Sequence, residues 1–267
     1  MTIDYSQREL GDFRCRKRHE NGRDVKVSVA KGTWFENAKI GVTKSLILTY
    51  CFAHKLTYDQ AIIETGLSED DTEVSRATVA DWYTYCREIC TIALDRDYDN
   101  EGPIGGEGHL VEVDEMKLGR RKYQRGRVVE GHWILGFIDR DTKDFRLEIC
   151  PQNKRDEVTL RPLINKHVLR GTEINSDGWA AYNFLKDDGY FHSTVIHSTE
   201  FVTADGVHTN NIESQWRPLR HRLARGGIKG EHLADHLCEY LFLRECKRLE
   251  KDPFMSLLKE IALVYEG

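Results

Sequence analysis

From about Thr43 to Leu94 apolar residues recur at three- and four-residue spacing through VTKSLILTYCFA, LTYDQAIIETGLS and RATVADWYTYCREICTIAL, which predicts three consecutive helices. Thr57 followed three residues later by Gln60 forms a capping-box signature, Gly66 stops the second helix, and Ser75 caps the third. A compact unit of this kind resembles a helix-turn-helix, with Arg76, Thr78 and Tyr83 on the third helix as groove contacts. Glu69, Asp70, Asp71 and Glu73 would repel phosphate if they faced a duplex. Periodicity stops in DRDYDNEGPIGGEG, residues 95–108, and this is the predicted domain boundary.

Beyond it the period changes from helix to strand. HLVEVDEMKL alternates apolar and polar residues, GRRKYQRGR reads as a basic turn, and VVEGHWILGFIDR and DFRLEICP read as two more strands. KRDEVTLRPLINKHVL then reads as a helix, TEINSD as a strand, GWAAYNFLKDD as a helix, FHSTVIH as a fifth strand, and HTNNIESQW leads into the C-terminal helices. A meander followed by alternating elements predicts an α/β fold: a mixed five-stranded sheet with flanking helices, preceded by the small all-α unit. The expected division is a basic N-terminal arm (1–40), the helical unit (41–94), a linker (95–108), the sheet domain (109–250) and a last helix (251–267).

Charge refines this picture. With 39 Lys and Arg against 44 Asp and Glu, the 267-residue chain has a net charge of −5 and cannot be coated uniformly for nucleic acid. Basic runs are local: residues 14–31 contain Arg16 and Lys17, Met116 to Arg127 contains Lys117, Arg120, Arg121 and Lys122 without an acid, and Ser214 to Gly230 contains Arg217, Arg220 and Arg225, again without one. Seven cysteines without a CxxC pair predict reduced thiols, and Cys15 with His19 in FRCRKRH lacks the second ligand pair of a zinc ribbon. The longest apolar stretches are too short to cross a bilayer, and MTIDYSQREL has no secretory pattern, so an intracellular address is expected.

Three carboxylates can carry chemistry. Asp114 lies in the first strand of the sheet domain, Asp177 at the carboxyl end of the fourth and Glu213 at the start of the helix after the fifth. Ligand sites in open α/β sheets form beyond strand ends, and three converging carboxylates repel one another without cations. Magnesium or manganese is implied, two ions that would activate an oxygen nucleophile and stabilise the leaving oxygen of a phosphodiester. Taken singly, Asp177 can cap a helix, Glu213 can favour a helix N-terminus and Asp114 can pair with the basic turn. His197 and His208 flank the loop before Glu213 without a defined role, His232 and His236 read as a packed or solvent-facing pair, and Trp133, Trp179 and Trp216 read as packing residues rather than base platforms.

The words VDE, SDGW.AY, H....FV...GVHTN.IES.W and HLCEYLFLRE, spread over about Leu110 to Glu245, resemble the catalytic domain of Merlin-type DNA transposases and their bacterial insertion-sequence relatives. That resemblance implies an RNase H-like fold, an Asp-Asp-Glu site at Asp114, Asp177 and Glu213, and cleavage of double-stranded DNA at transposon ends followed by joining to a target. It further implies end recognition by the N-terminal helices, a dimer or larger assembly, and a basic DNA contact seven residues after the last acid, matched by Arg220. Location would be nuclear in a eukaryote and cytoplasmic in a bacterium. Pro218 predicts that the helix carrying Glu213 kinks or starts late. The rival readings are a domesticated, catalytically silent DNA-binding regulator and a simple nuclease that cuts without joining.

Overall fold

The computed structural model describes residues 2–4, 11–15, 25–67, 72–119, 131–195, 207–223, 228 and 230–265. It divides into two compact units, Met1–Ala93 with Phe242–Gly267, and Leu94–Leu241. The first unit opens with strands β1 (Thr2–Asp4), β2 (Asp12–Cys15) and β3 (Val25–Ser28), which pair antiparallel in the order β1-β2-β3. The segment read as a basic arm thus contains a small sheet, in which Arg14 and Lys26 both pair with Asp4. Helices α1 (Val42–Ala53), α2 (Tyr58–Gly66) and the first part of α3 (Arg76–Glu101) follow. The Thr57–Gln60 capping box forms with both reciprocal bonds, and the Ser75 hydroxyl accepts the Thr78 N–H at 3.1 Å to cap α3.

Leu48, Phe52, Ala61, Val79, Trp82 and Cys86 are buried in this unit. Tyr83 joins them instead of facing outward: its ring lies edge-on to Phe52 and Tyr58, and its hydroxyl donates to the Leu56 carbonyl at 3.0 Å. Sequence periodicity marked Tyr83 as accessible because it lies near the helix start, but an apolar ring with a satisfied hydroxyl is better buried. The last helix, α7 (Pro253–Tyr265), packs in the same unit against α1, with Tyr50 and Phe254 in edge contact at 5.5 Å. Helix α3 runs on through Glu101 into the segment read as linker. DRDYDNE loses apolar periodicity without containing a helix breaker, and the helix ends only at Gly102, whose φ of 70° only glycine adopts readily.

In the second unit β4 (Ile104–Gly105) pairs in parallel with β8 (Val168–Leu169). Strands β5 (Leu110–Leu118), β6 (His132–Asp139), β7 (Phe145–Ile149), β9 (Glu173–Asp177) and β10 (Phe191–Val195) form one sheet ordered β10-β9-β5-β6-β7. The β5, β6 and β7 neighbours are antiparallel and β5, β9 and β10 are parallel, which is the RNase H-like arrangement. Helix α4 (Glu157–His167) lies between β7 and β8 in sequence, α5 (Asn210–Leu223) follows β10, and α6 (Leu233–Arg248) closes the unit. GWAAYNFLKDD forms a 3-10 helix over Ala180–Leu185, not the expected α-helix.

The two faces of this sheet differ. Val111, Val113, Leu135, Phe137 and Ile174 point toward Leu160 and Ile164 of α4 and toward Tyr182 and Leu185, forming the main apolar core. Residues of opposite parity on β5, Glu112, Asp114 and Met116, face α5. Among the described residues, no helix is long and apolar enough to cross a membrane.

Candidate functional site

Strand register brings the first two carboxylates level. The β5–β9 pairing runs Leu110↔Glu173, Val111↔Ile174, Glu112↔Asn175 and stops there, and the same offset carried two residues further sets Asp177 level with Asp114 just beyond the ladder. Asp114, Asp177 and Glu115 each offer an oxygen, and these oxygens lie within 4.8 Å of one another. Burial pushes the Asp114 carboxyl up to about 7; the indole N–H of Trp216, 2.6 Å from Oδ2, opposes the rise, and the neighbouring charges of Glu115 and Asp177 add to it. Glu115 is likewise raised by burial, countered by the Tyr182 hydroxyl donating at 2.7 Å to Oε2 and by Arg155. Tyr182 is fully buried, and that burial, with the Glu115 charge, holds its phenol well above the ordinary value. The Glu115 Oε1 atom is buried without a hydrogen-bond partner.

A stability consequence follows from Asp114. Unfolded, it loses its proton near 3.8, whereas the folded protein keeps that proton to about 7. Its contribution is therefore complete below about pH 4 and disappears as pH rises to about 7. Without divalent cations, the melting temperature of wild type should fall relative to Asp114→Asn across that window and run parallel outside it. A gap constant from pH 4 to 8 would show that Asp114 ionises normally. Hard carboxylate oxygens at this spacing suit magnesium or manganese, and such an ion would compete with the same proton.

Helix α5 is fixed to β5 by a repeating set of contacts. Glu112, with 0% of its surface exposed, accepts the Ile212 backbone N–H at 2.9 Å and Asn211 Nδ2 at 2.7 Å. Asp114 accepts from Trp216, and Met116 Sδ receives Arg220 Nε at 3.0 Å. Two residues along a strand advance about 6.6 Å and four along a helix about 6 Å, so residues 112, 114, 116 keep step with 212, 216, 220. Arg140 reinforces the first rung: Nε donates to Glu112 at 2.6 Å, and another nitrogen donates to the His208 carbonyl at 2.7 Å. His208, which had no assignable role from sequence, orients this arginine through Nδ1 at 2.9 Å.

Gly136, the register partner of Asp114, makes room for Trp216. A Cβ there would overlap the indole ring and lie 3.1 Å from Ile212 Cδ1. Gly136→Ala should therefore destabilise the second unit by about 1–3 kcal/mol, read as a lower urea midpoint. An unchanged midpoint would mean that α5 is not held at this distance.

Glu213 is exposed in the first turn of α5 on the helix that faces Asp114, and its Oε1 accepts the Thr209 hydroxyl at 2.9 Å. It precedes Trp216 by one turn, yet Glu115 and not Glu213 completes the close acidic cluster. Pro218 neither delays nor ends α5, which starts at Asn210 and continues to Leu223. Its missing N–H falls in the middle of a helix already held by the three β5 contacts. Arg220 lies over Met116, two residues from Asp114, and Arg217 is exposed on the same helix. Lys117 Nζ lies 5.5 Å from the Trp133 ring centroid. In the first unit Arg76 pairs with Asp59 and stacks on Tyr58. Arg16, Lys17, Arg120, Arg121, Lys122, Arg225, His19, His197, Glu69, Asp70 and Asp71 lie outside the described residues.

The sequence reading missed Glu112, Glu115, Tyr182, Arg155 and Arg140. A signal for one of them, Glu112, was present: in VEVDE the acids at 112 and 114 share one strand face, an expensive arrangement unless that face meets donors.

The sequence pattern of the ISXO2-like transposase domain matches residues 101–244, more than half of the chain. The chain belongs to the ISXO2-like transposase family. The resemblance to insertion-sequence transposases carried by VDE, SDGW.AY and GVHTN.IES.W is borne out at family level. No curated protein matches this transposase-family chain. Among solved structures it is similar to a simian T-cell lymphotropic virus intasome in complex with PP2A regulatory subunit B56 gamma, with 12% identity over 53% of this chain and 52% of that one, at a TM-score of 0.34. It thus spans about half the length of that viral chain. The HTLV-2 integrase catalytic core in complex with magnesium shares 14% identity over 51% and 86% of the two chains at 0.32. A pre-cleavage Mos1 transpososome shares 10% over 84% and 75%, also at 0.32.

Proposed function

We propose that this transposase-family chain is a metal-dependent DNA transposase in which Asp114, Asp177 and Glu213 form the catalytic centre, cutting double-stranded DNA at transposon ends and joining the released end to a target. The observation that carries this reading is the approach of Asp114 and Asp177, whose oxygens lie within 4.8 Å of each other just beyond the last pair of the β5–β9 ladder, while α5, which bonds Asp114 through Trp216, carries Glu213 in its first turn. Asp114 and Asp177 would hold two magnesium or manganese ions and Glu213 would complete the set. When bound, such ions supply Lewis-acid activation of the attacking oxygen and charge neutralisation at the leaving oxygen.

The chain's own residues do the positioning. Trp216 fixes the Asp114 carboxylate, and Glu112 and Arg140 fix the start of α5. Arg217, Arg220 and Lys117 are proposed phosphate contacts beside the site. Arg120, Arg121, Lys122 and Arg225 are proposed to extend that surface, and Arg16, Lys17 and Arg76 to contact the recognised end. Two ends must be held together, so a dimer or larger assembly is part of the proposal.

Purified protein incubated with magnesium and labelled DNA taken from either side of its gene tests this directly. Strand-transfer products support the reading. Binding without any product would favour the regulator instead, and nicking without joining the simple nuclease.

A further inference from the structure

Of the five tryptophans, all among the described residues, four are buried or half-buried and Trp179 is 44% exposed. Its place in the chain is two residues beyond Asp177, whose Oδ1 accepts the Trp179 backbone N–H at 3.0 Å. The ring is supported from one side. Arg155 lays its guanidinium over it at 4.7 Å from the ring centroid, and the same group lies 4.3 Å from the Trp133 centroid. Arg155 is also 3.5 Å from the buried carboxylate of Glu115. The guanidinium is thereby held by two indoles and an acid, and it presents Trp179 as the exposed layer of an ordered stack.

Trp179 is set apart from the other exposed rings by its place: it shares Arg155 with the Glu115 carboxylate, and its backbone N–H bonds Asp177. An indole stacked on a guanidinium and still 44% exposed offers a preformed flat surface to a planar group. The surroundings narrow the choice: Lys117 and Arg155 lie over the adjoining Trp133 ring at 5.5 and 4.3 Å, which favours a polyanion carrying flat apolar groups over an apolar peptide. Bases within a duplex present edges and not faces, so only an unpaired base can use the platform. We infer that Trp179, backed by Arg155, is a stacking platform for one unpaired nucleobase of a DNA strand whose phosphate lies at the carboxylates. This rests on the proposed DNA substrate but not on its cleavage.

The test uses the full chain carrying Asp114→Asn, with magnesium, and two probes: an oligothymidylate strand with one 2-aminopurine, and the same strand annealed to its complement. Trp179→Ala added to that chain should weaken binding of the single strand about ten-fold, the size of one lost stack, and abolish the quenching of 2-aminopurine fluorescence. Trp179→Phe should retain most of both effects, and duplex affinity should not change. Phe191→Ala, which removes a 68% exposed ring at the opposite end of the β9–β10 pair, should alter nothing. If Trp179→Ala binds and quenches the single strand as the parent does, the platform is wrong while the DNA reading stands. If the parent binds neither probe, the DNA reading fails and the platform with it.

Discussion

Asp114→Asn should reduce metal-dependent cleavage by about a thousand-fold or more while leaving DNA binding intact, because several kcal/mol of charge stabilisation are lost with the carboxylate. The substitution isolates charge from structure. Asparagine keeps the volume and an oxygen that can still accept the Trp216 indole N–H, so α5 retains its middle contact with β5. Initial rates of manganese-dependent nicking and gel-shift affinities on the same labelled DNA separate the two properties. A purified variant that nicks at the wild-type rate would remove Asp114 from the chemistry and take the proposed centre with it.

Glu112→Ala should cost about 3–5 kcal/mol in the second unit, as expected when one partner of a buried ion pair is deleted. Arg140 Nε, Asn211 and the Ile212 N–H would each lose the acceptor that the fully buried Glu112 carboxylate provides. Glu112→Gln should lie between, since an amide oxygen can still accept but no longer balances the guanidinium. Urea unfolding followed by circular dichroism gives the measure, and an alanine variant with an unshifted midpoint would show that the network does not hold α5. The variant's cleavage rate should fall more than its DNA affinity, because Glu213 sits on the first turn that Glu112 fixes.

Much of the sheet domain was legible because its signals are local. Alternation in HLVEVDEMKL and DFRLEICP gave β5 and β7 to within two residues, and TEINSD ended β9 at Asp177. The N-terminal strands escaped because runs of three or four residues such as TID and VKVS are too short to display a period. What could not be read was partnership across long separations. Glu112 meets Ile212 100 residues later, and Glu115 meets Tyr182 67 residues later. Nothing in the word VEVDE distinguishes an acid that anchors a helix from one that faces a substrate, since both occupy the same strand face. Trp179, read as a packing residue, does pack on Arg155 but stays 44% exposed, and its side-chain type gave no sign of that exposure.

The first unit is built from two stretches far apart in sequence, since the end of α6 and α7 within Phe242–Gly267, with Leu257, Ile261 and Phe254, join the positions up to Ala93. Gene fusion at a single junction after Ala93 would therefore yield an incomplete module, stripped of its closing segment. Exchanging the first unit between relatives would require grafting two separate stretches together, or inserting the foreign sheet unit as a cassette between Ala93 and Phe242.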